Sequence, residues 1–380
     1  MTTRLIAHLD LDCFFVTAER LRNPGLIGRP VAVGGAGARA VVSSASYEAR
    51  RWGVRSGMAV ALARRLCPEL VLVRGDWEYY SRLSAAVTDI VAERSPLWEK
   101  ASVDEFYMDF TGMDRYLGAW RWLTELAARI ERETGLQVSA ALATSKTVGK
   151  VATGQSKPHG RLRVAPGAEQ PFLAPLPVRV LPGAGARMGE RLALMGVRQI
   201  RLLQQMPVFP LEQVFGRPGH ELWLKARGID PSPVTPLHEP RSISEEQTLE
   251  SDTDDPALLD RLLTRMAQHL GQRLRSQKLA CTTLTLKLRY ADFDTPTRQQ
   301  KLSPTACDIT LLHTARHLLQ KAWTRRQRIR LIGLRASDLR PLALQNQLFE
   351  DPTRSARLYA ALDHLNRRYG PDTVQHATAL

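Results

Sequence analysis

Three features of the 380-residue sequence predict an α+β fold of several domains. Strand and helix signals intermix over roughly the first 165 residues, and a glycine-punctuated helical stretch follows. Beyond a proline-rich break the order becomes strand, helix, strand, strand, helix, strand, a βαββαβ unit. A chain of this length exceeds the usual domain, so about two to four units are expected.

Residues 4–10 (RLIAHLD) form a short apolar run closed by an acid, which suits a buried central strand ending at Asp10. From Ser43, SSASYEARRWG opens with serines able to cap, continues in helix formers and meets Gly53, and so reads as one short helix. ALARRLCPEL (61–70) reads as another, closed by Pro68. In WEKASVDEFYMDF (98–110), Phe106, Met108 and Phe110 alternate with Tyr107 and Asp109, the pattern of a half-buried strand. A helix over 119–133 and a strand over 137–144 complete this first unit, 1–165.

Residues 176–207 read as helical on both sides of a Gly183-Ala-Gly185 turn, with a second stop at Gly196, and resemble a helix-hairpin-helix. The stretch 229–240 carries Pro231, Pro233, Pro236 and Pro240, too many for helix or central strand, and reads as an extended linker that ends a second unit, 166–236. The βαββαβ unit occupies 237–341: strand 241–248, helix 256–277, strands 279–290 and 297–303, helix 305–326 and strand 328–337. Its third element places Leu284, Leu286, Leu288 and Tyr290 on one face and Thr283, Thr285, Lys287 and Arg289 on the other. A tail, 342–380, follows, with a helix expected over 356–370.

Lys and Arg total 53 against 38 Asp and Glu, a net charge of +15 that favours a polyanionic partner such as nucleic acid. The charge is uneven: residues 241–340 hold 18 basic and 11 acidic side chains, net +7, whereas the tail has four of each. Cys13, Cys67, Cys281 and Cys307 lie far apart without CxxC or Cys/His spacing, which argues for reduced thiols and against zinc or a disulfide framework. The N-terminus reaches two acids by position 12, and no later run approaches a membrane span; a soluble, cytoplasmic protein is expected.

The sharpest chemical signal pairs HLDLDCFF (8–15) with ASVDEFYMD (101–109). Consecutive strand residues point to opposite faces, so Asp104 and Glu105 converge only at a tight hairpin turn, beside Asp10 at the end of the first strand. Three carboxylates so placed repel unless protonated or neutralised, and divalent cations with oxygen ligands are the usual neutralisers. Two ions about 3.5–4 Å apart would serve nucleotidyl transfer. Tyr47 and Arg50, three apart on one helix, share a face, and only nine of the basic residues are lysine, three of them clustered as Lys146, Lys150 and Lys157.

Four segments together, HLDLDCFFVTAE (8–19), SYEARRWGVRSGM (46–58), ASVDEFYMD (101–109) and SKTVGKVATGQSKPHG (145–160), resemble the signature segments of the Y-family (translesion) DNA polymerases, of the bacterial DNA polymerase IV type, in order and near their spacing. With the helix-hairpin-helix and the βαββαβ module, the resemblance covers about 340 residues. It implies a right-hand polymerase: a ferredoxin-like palm with small fingers (about 16–75) in 1–165, a thumb in 166–236 and a little finger in 237–341. It implies that Asp10 and Asp104 bind metal, that Glu105 is the catalytic glutamate beside them, and that Leu11 lends a backbone carbonyl to two Mg²⁺ ions. Phe15 falls at the position of an aromatic that blocks the ribose 2′-hydroxyl; Tyr47, Arg50 and Lys157 match residues that contact the incoming triphosphate; Val41 and Ser43 match small residues roofing the nascent base pair. Extended backbone would let only one of Phe14 and Phe15 face the core, and Phe14 suits that role. The Gly183–Gly185 turn would offer backbone N–H groups to a DNA phosphate, or form a plain corner.

The implied activity is template-directed, low-fidelity dNTP incorporation on primer-template DNA during repair, by a monomer. Gln345, Leu348 and Phe349 resemble the short peptide by which bacterial polymerases bind the sliding clamp; the alternative is that Leu348 and Phe349 pack the tail on its own domain. Two other readings stand beside the polymerase. One is a catalytically inactive homologue scaffolding a repair complex, which would have no reason to keep all three acids; the other is a nucleotidyl cyclase, which would lack the thumb and little finger. Kinship to the catalytic subunit of DNA polymerase V stays open.

Overall fold

The computed structural model describes residues 3–113, 118–236, 240–342, 352–370 and 373–374. The chain divides into two units, Met1–His238 and Glu239–Leu380.

The first unit runs β1 (Ile6–Leu11), α1 (Phe14–Arg22), β2 (Val31–Gly34), β3 (Val42–Ala45), α2 (Tyr47–Arg51), α3 (Val60–Leu66), β4 (Val71–Val73), α4 (Trp77–Arg94), β5 (Trp98–Lys100), β6 (Glu105–Asp109), α5 (Ala119–Thr134), β7 (Val138–Ala143), α6 (Lys146–Ser156) and β8 (Arg161–Arg163). Five helices follow: α7 (Glu169–Leu173), α8 (Ala186–Leu194), α9 (Ile200–Gln205), α10 (Val208–Phe215) and α11 (Arg217–Ala226). The main sheet has the order β5-β6-β1-β7-β8, with β1 antiparallel to both neighbours. A small sheet, β3-β2-β4, packs with α2 and α3 around Ala32, Val42, Ala49, Val54 and Ala63.

Alternation along β1 sorts its side chains. Ala7, Leu9 and Leu11 enter a core with Phe106, Met108 and Phe110 of the neighbouring hairpin and with Leu123, Leu126 and Ile130 of α5. His8 and Asp10 take the opposite face, over which α6 packs. Gly149 of α6 permits that approach, since a Cβ there would meet His8 Cβ at 3.3 Å.

Three local expectations are corrected. The chain leaves β1 through Cys13 in the left-handed region, φ 45°, and is helical from Phe14, so Phe14 and Phe15 part by helical rotation rather than by strand alternation. Phe14 is buried and Phe15 half-buried, as the assignment of Phe14 to the core requires. Before the Gly183–Gly185 turn the chain forms only a 3₁₀ turn, Val178–Val180, because Pro177 and Pro182 bracket too short a span for an α-helix. The proline-rich stretch up to Pro236 is extended but not loose: Val234 is buried with Ile6 and Tyr107, Arg4 donates to the Asp230 carbonyl at 2.9 Å, and the Asp230 carboxylate accepts from the Thr147 backbone N–H at 3.1 Å.

The second unit comprises β9 (Ser242–Thr253), α12 (Pro256–Ser276), β10 (Leu279–Tyr290), β11 (Thr297–Thr305), α13 (Asp308–Ala322) and β12 (Ile329–Pro341), the expected βαββαβ order. Its sheet is β11-β10-β12-β9, all antiparallel. Leu284, Leu286, Leu288 and Tyr290 bury against α12 and α13, while Thr285, Lys287 and Arg289 stay half-buried on the other face. Thr283 departs from this pattern: it is buried, donating to Asp338 Oδ2 at 2.6 Å, beside a bulge in the β10–β11 ladder.

A final helix, α14 (Pro352–Tyr369), brings Tyr359 and Asp363 to this unit. Arg275 of α12 forks to both oxygens of Asp363 at 2.8 Å and reaches Asp308 Oδ1 at 2.6 Å, with its guanidinium over the Tyr359 ring. Gln345, Leu348 and Phe349 lie outside the described residues. Removing Arg275 takes the guanidinium from two largely desolvated carboxylates, Asp363 above all, so Arg275→Met should destabilise the second unit by about 2–4 kcal/mol. The check is thermal unfolding of the full chain together with limited proteolysis within 352–370; an unchanged melt and cleavage pattern would refute the anchoring role.

Candidate active site

The β1–β6 ladder sets Asp10 directly opposite Glu105, and the β1–β7 ladder sets Asp10 opposite Ser139. Directly opposed residues share a sheet face, so Asp10, Glu105 and Ser139 project together. Residues 101–104 turn the chain from β5 into β6: the Ala101 and Ser102 N–H groups donate to the Glu105 carbonyl at 2.9 and 3.3 Å. The Leu11 N–H donates to the Asp104 carbonyl at 3.0 Å, which holds Asp104 beside the end of β1. The tight turn that two adjacent acids need in order to converge is therefore present.

The negative charge is met by lysine, histidine and serine. Lys157 Nζ donates to Asp10, Lys150 Nζ and His8 Nε2 both meet Glu105 Oε1, and the Ser102 hydroxyl donates to Asp104. Burial pushes the Asp10 carboxyl above its ordinary range; Lys157 opposes the rise and the nearby Asp104 charge adds to it. Burial also acts to raise Glu105, but hydrogen bonds and charge from His8 and Lys150 prevail and hold it down at about 2.

A second hub was not singled out from the sequence. Asp12 is 1% exposed and accepts from the Ser139 hydroxyl at 2.7 Å, the His159 N–H at 2.6 Å and the Tyr47 hydroxyl at 3.2 Å, with Lys157 Nζ at 3.9 Å. Burial and Asp12 push the Tyr47 phenol far up, so Tyr47 stays a neutral donor. The signal for Asp12 was the i, i+2 spacing in LDLD, which repeats the face of Asp10. Asp12 thus hydrogen-bonds Tyr47 of α2 and stands at ion-pair distance from Lys157, which itself donates to Asp10. On the same helix the Arg50 guanidinium lies 4.9 Å from the Tyr47 ring centre, and its Nε donates to the Ala45 carbonyl at 3.0 Å.

The three clustered lysines diverge. Lys150 and Lys157 reach the carboxylates, whereas Lys146 pairs with buried Glu99 and lies over Tyr107. Phe15 stacks on Tyr80 at 4.6 Å between centroids and meets Trp77 edge-on at 5.0 Å. Leu11 ends β1 with its side chain in the core, which leaves only its backbone for a ligand role. Ser43 sits in β3, and Val41, 50% exposed, precedes it. The Gly183–Gly185 turn leads into α8.

Among the described residues no three His, Cys, Asp or Glu side chains are grouped tightly enough to hold a metal ion. The donor set nonetheless suits one. Asp10, Asp104, Glu105 and the Leu11 carbonyl offer only hard oxygen atoms, the donors that divalent cations such as Mg²⁺ take.

Comparison with known proteins finds relatives that span nearly the whole chain. A family model described as the impB/mucB/samB family matches residues 9–154, the model of that family's C-terminal domain matches 240–348, and one described as DNA polymerase-iota, thumb domain, matches 179–230. A protein named DNA polymerase IV from Dehalococcoides mccartyi (strain CBDB1) is 35% identical over 99% of this chain and 97% of its own. Relatives of the same name from Desulfatibacillum aliphaticivorans and Halorhodospira halophila are 37% and 36% identical, covering 99% and 92% of this chain and 97% and 99% of theirs. The matched family models and the similarity over nearly the whole chain show that it belongs to the Y-family DNA polymerases of the DNA polymerase IV type.

Proposed function

We propose that this DNA-directed DNA polymerase adds dNTPs to a primer 3′-end by two-metal nucleotidyl transfer, and that it does so with low fidelity on damaged templates. The observation carrying this reading is the placement of Asp10 opposite Glu105, with Asp104 tied to the end of β1. Two Mg²⁺ ions, held by Asp10, Asp104, Glu105 and the Leu11 carbonyl, would activate the 3′-hydroxyl and stabilise the departing pyrophosphate.

The remaining work falls to the chain's own residues. Lys157, Tyr47 and Arg50 bind the triphosphate, Lys as a point charge, Arg as a fork and Tyr as a neutral donor. Lys157, paired with Asp10 here, exchanges that carboxylate for phosphate oxygens when nucleotide enters. Phe15, braced by Tyr80 and Trp77, walls off the ribose 2′ position. Small residues at Val41 and Ser43 leave room for altered template bases. The polar, basic sheet face of the 237–341 module grips the duplex backbone. The scaffold alternative has no observation in its favour, and it would give the chain no reason to keep Asp10, Asp104 and Glu105 together.

Three outcomes are expected. Asp104→Ala or Glu105→Ala abolishes nucleotide incorporation while leaving primer-template affinity near wild type, because the grip comes from basic surfaces elsewhere. Single-turnover extension within about tenfold of wild type in either variant would sink the metal assignment. Phe15→Ala, assayed with rNTPs beside dNTPs, admits ribonucleotides; unchanged discrimination with measurable dNTP incorporation would place the gate elsewhere. For Gln345, Leu348 and Phe349 we infer a sliding-clamp anchor, an apolar pair with a polar glutamine on a neutral tail. Leu348→Ala with Phe349→Ala should keep activity on bare primer-template yet lose stimulation by the clamp. Stimulation that survives, or a variant that unfolds, would make the segment structural.

A further inference from the structure

His8 is a buried histidine that the mechanism above does not use. It is 1% exposed, two residues before Asp10 on the same face of β1, and register places it diagonal to Glu105. Its Nε2 lies 2.5 Å from Glu105 Oε1 and its Nδ1 2.9 Å from Thr153 Oγ1. The ring centre lies 4.7 Å from that of Tyr107, and the His8 Cβ faces α6 at Gly149.

The hydrogen-bond chemistry gives the imidazole a direction. Thr153 Oγ1 has one proton, and it stands 3.1 Å from the Gly149 carbonyl and 3.4 Å from the His8 carbonyl as well as next to Nδ1. If that proton goes to Nδ1, neutral His8 carries its own proton on Nε2; if it goes to either carbonyl, Nδ1–H donates to Thr153 and only a ring that also bears a proton on Nε2 faces an ionised carboxylate without a lone-pair clash. In both arrangements Nε2–H donates to Glu105.

The two donors on Oε1 differ in kind. The Lys150 side chain is 43% exposed on a long flexible stem, whereas His8 has two torsions and is enclosed. Both spend their hydrogen bonds on Oε1, and among the described residues Oε2 has no such partner. We propose that His8, anchored by Thr153, is a positioning residue for Glu105: it fixes the carboxylate by Oε1 and so leaves Oε2 preset for the cation of the active site. This rests on the reading of Glu105 as part of that site. Groups one shell removed from a metal that orient its ligands typically matter about 10–100-fold in metal affinity or activity.

The test uses the full chain with a dideoxy-terminated primer-template and matching dNTP, titrated with Mn²⁺ and followed by electron paramagnetic resonance, alongside kcat and KM. His8→Phe keeps ring volume without a donor; His8→Gln restores a donor near the Nε2 position. The expected result is Mn²⁺ affinity about 10–100-fold weaker in His8→Phe, kcat lowered, dNTP KM at saturating metal within about twofold, and most of the loss recovered in His8→Gln. Unchanged Mn²⁺ affinity in folded His8→Phe, or no recovery in folded His8→Gln, overturns the proposal. If His8→Phe fails to fold, Thr153→Val carries the test, and wild-type Mn²⁺ affinity there overturns it equally. A parallel Glu105→Ala control separates the two claims: wild-type incorporation in that variant defeats the reading of Glu105, whereas its loss beside an unaffected His8→Phe defeats only the role of His8.

Discussion

The register of β1 against β6 is the constraint on which the site depends. Asp10 opposes Glu105 while Leu9 opposes Phe106, so one pairing sends acids to one face and apolar residues to the core. A slip by one residue would exchange the faces, burying two carboxylates among leucines and exposing the core row. Such a slip costs many kilocalories in lost burial and charge desolvation, which makes the hydrophobic pattern itself the device that aligns the acids. The tight turn at 101–104 then adds Asp104, and the Leu11 N–H bond to its carbonyl closes the group.

Gathering acids on one face sets an electrostatic problem that α6 and the segment after it solve. Lys150, Thr153 and Lys157 approach from this side, two of them directly on carboxylates and the third through His8. The pairing is graded. Asp10 still holds its proton more tightly than an ordinary aspartate, whereas Glu105 is held down at about 2 by two donors on one oxygen. Asp12 stands behind them, fully enclosed and satisfied by Ser139, His159 and Tyr47, and ties α2 to the acidic face. Tyr47 and Lys157 are thereby tied to the carboxylates, one by a hydrogen bond to Asp12 and the other by direct pairing with Asp10.

The second unit follows a different plan. A four-stranded sheet presents half-buried Lys287 and Arg289 on one face and packs two helices on the other. Its hydrophobic rows decide which face is free for a polyanion. Arg275, reaching Asp308 and Asp363, locks the last helix onto the unit through side chains 88 residues apart, so the neutral tail beyond 342 is not a mere appendage.

Alternating and helical periods in the sequence determined which residues face the core: the row in β1, the hairpin at Phe106, Met108 and Phe110, the βαββαβ order, and Tyr47 and Arg50 on one short helix. These are local properties of backbone geometry, repeated every two or every 3.6 residues, and need no partner to be read. Asp10, Asp104 and Glu105 were legible for the same reason, a strand end and a turn. Only the tertiary structure decided that Asp12 is a hub, that Lys150 and Lys157 reach the acids while Lys146 turns to Glu99, that His8 joins Thr153 to Glu105, and that the proline-rich stretch lies on the sheet. Each of those contacts joins residues tens to more than a hundred positions apart. Burial then chooses among several chemically equivalent partners, and that choice has no period in the chain.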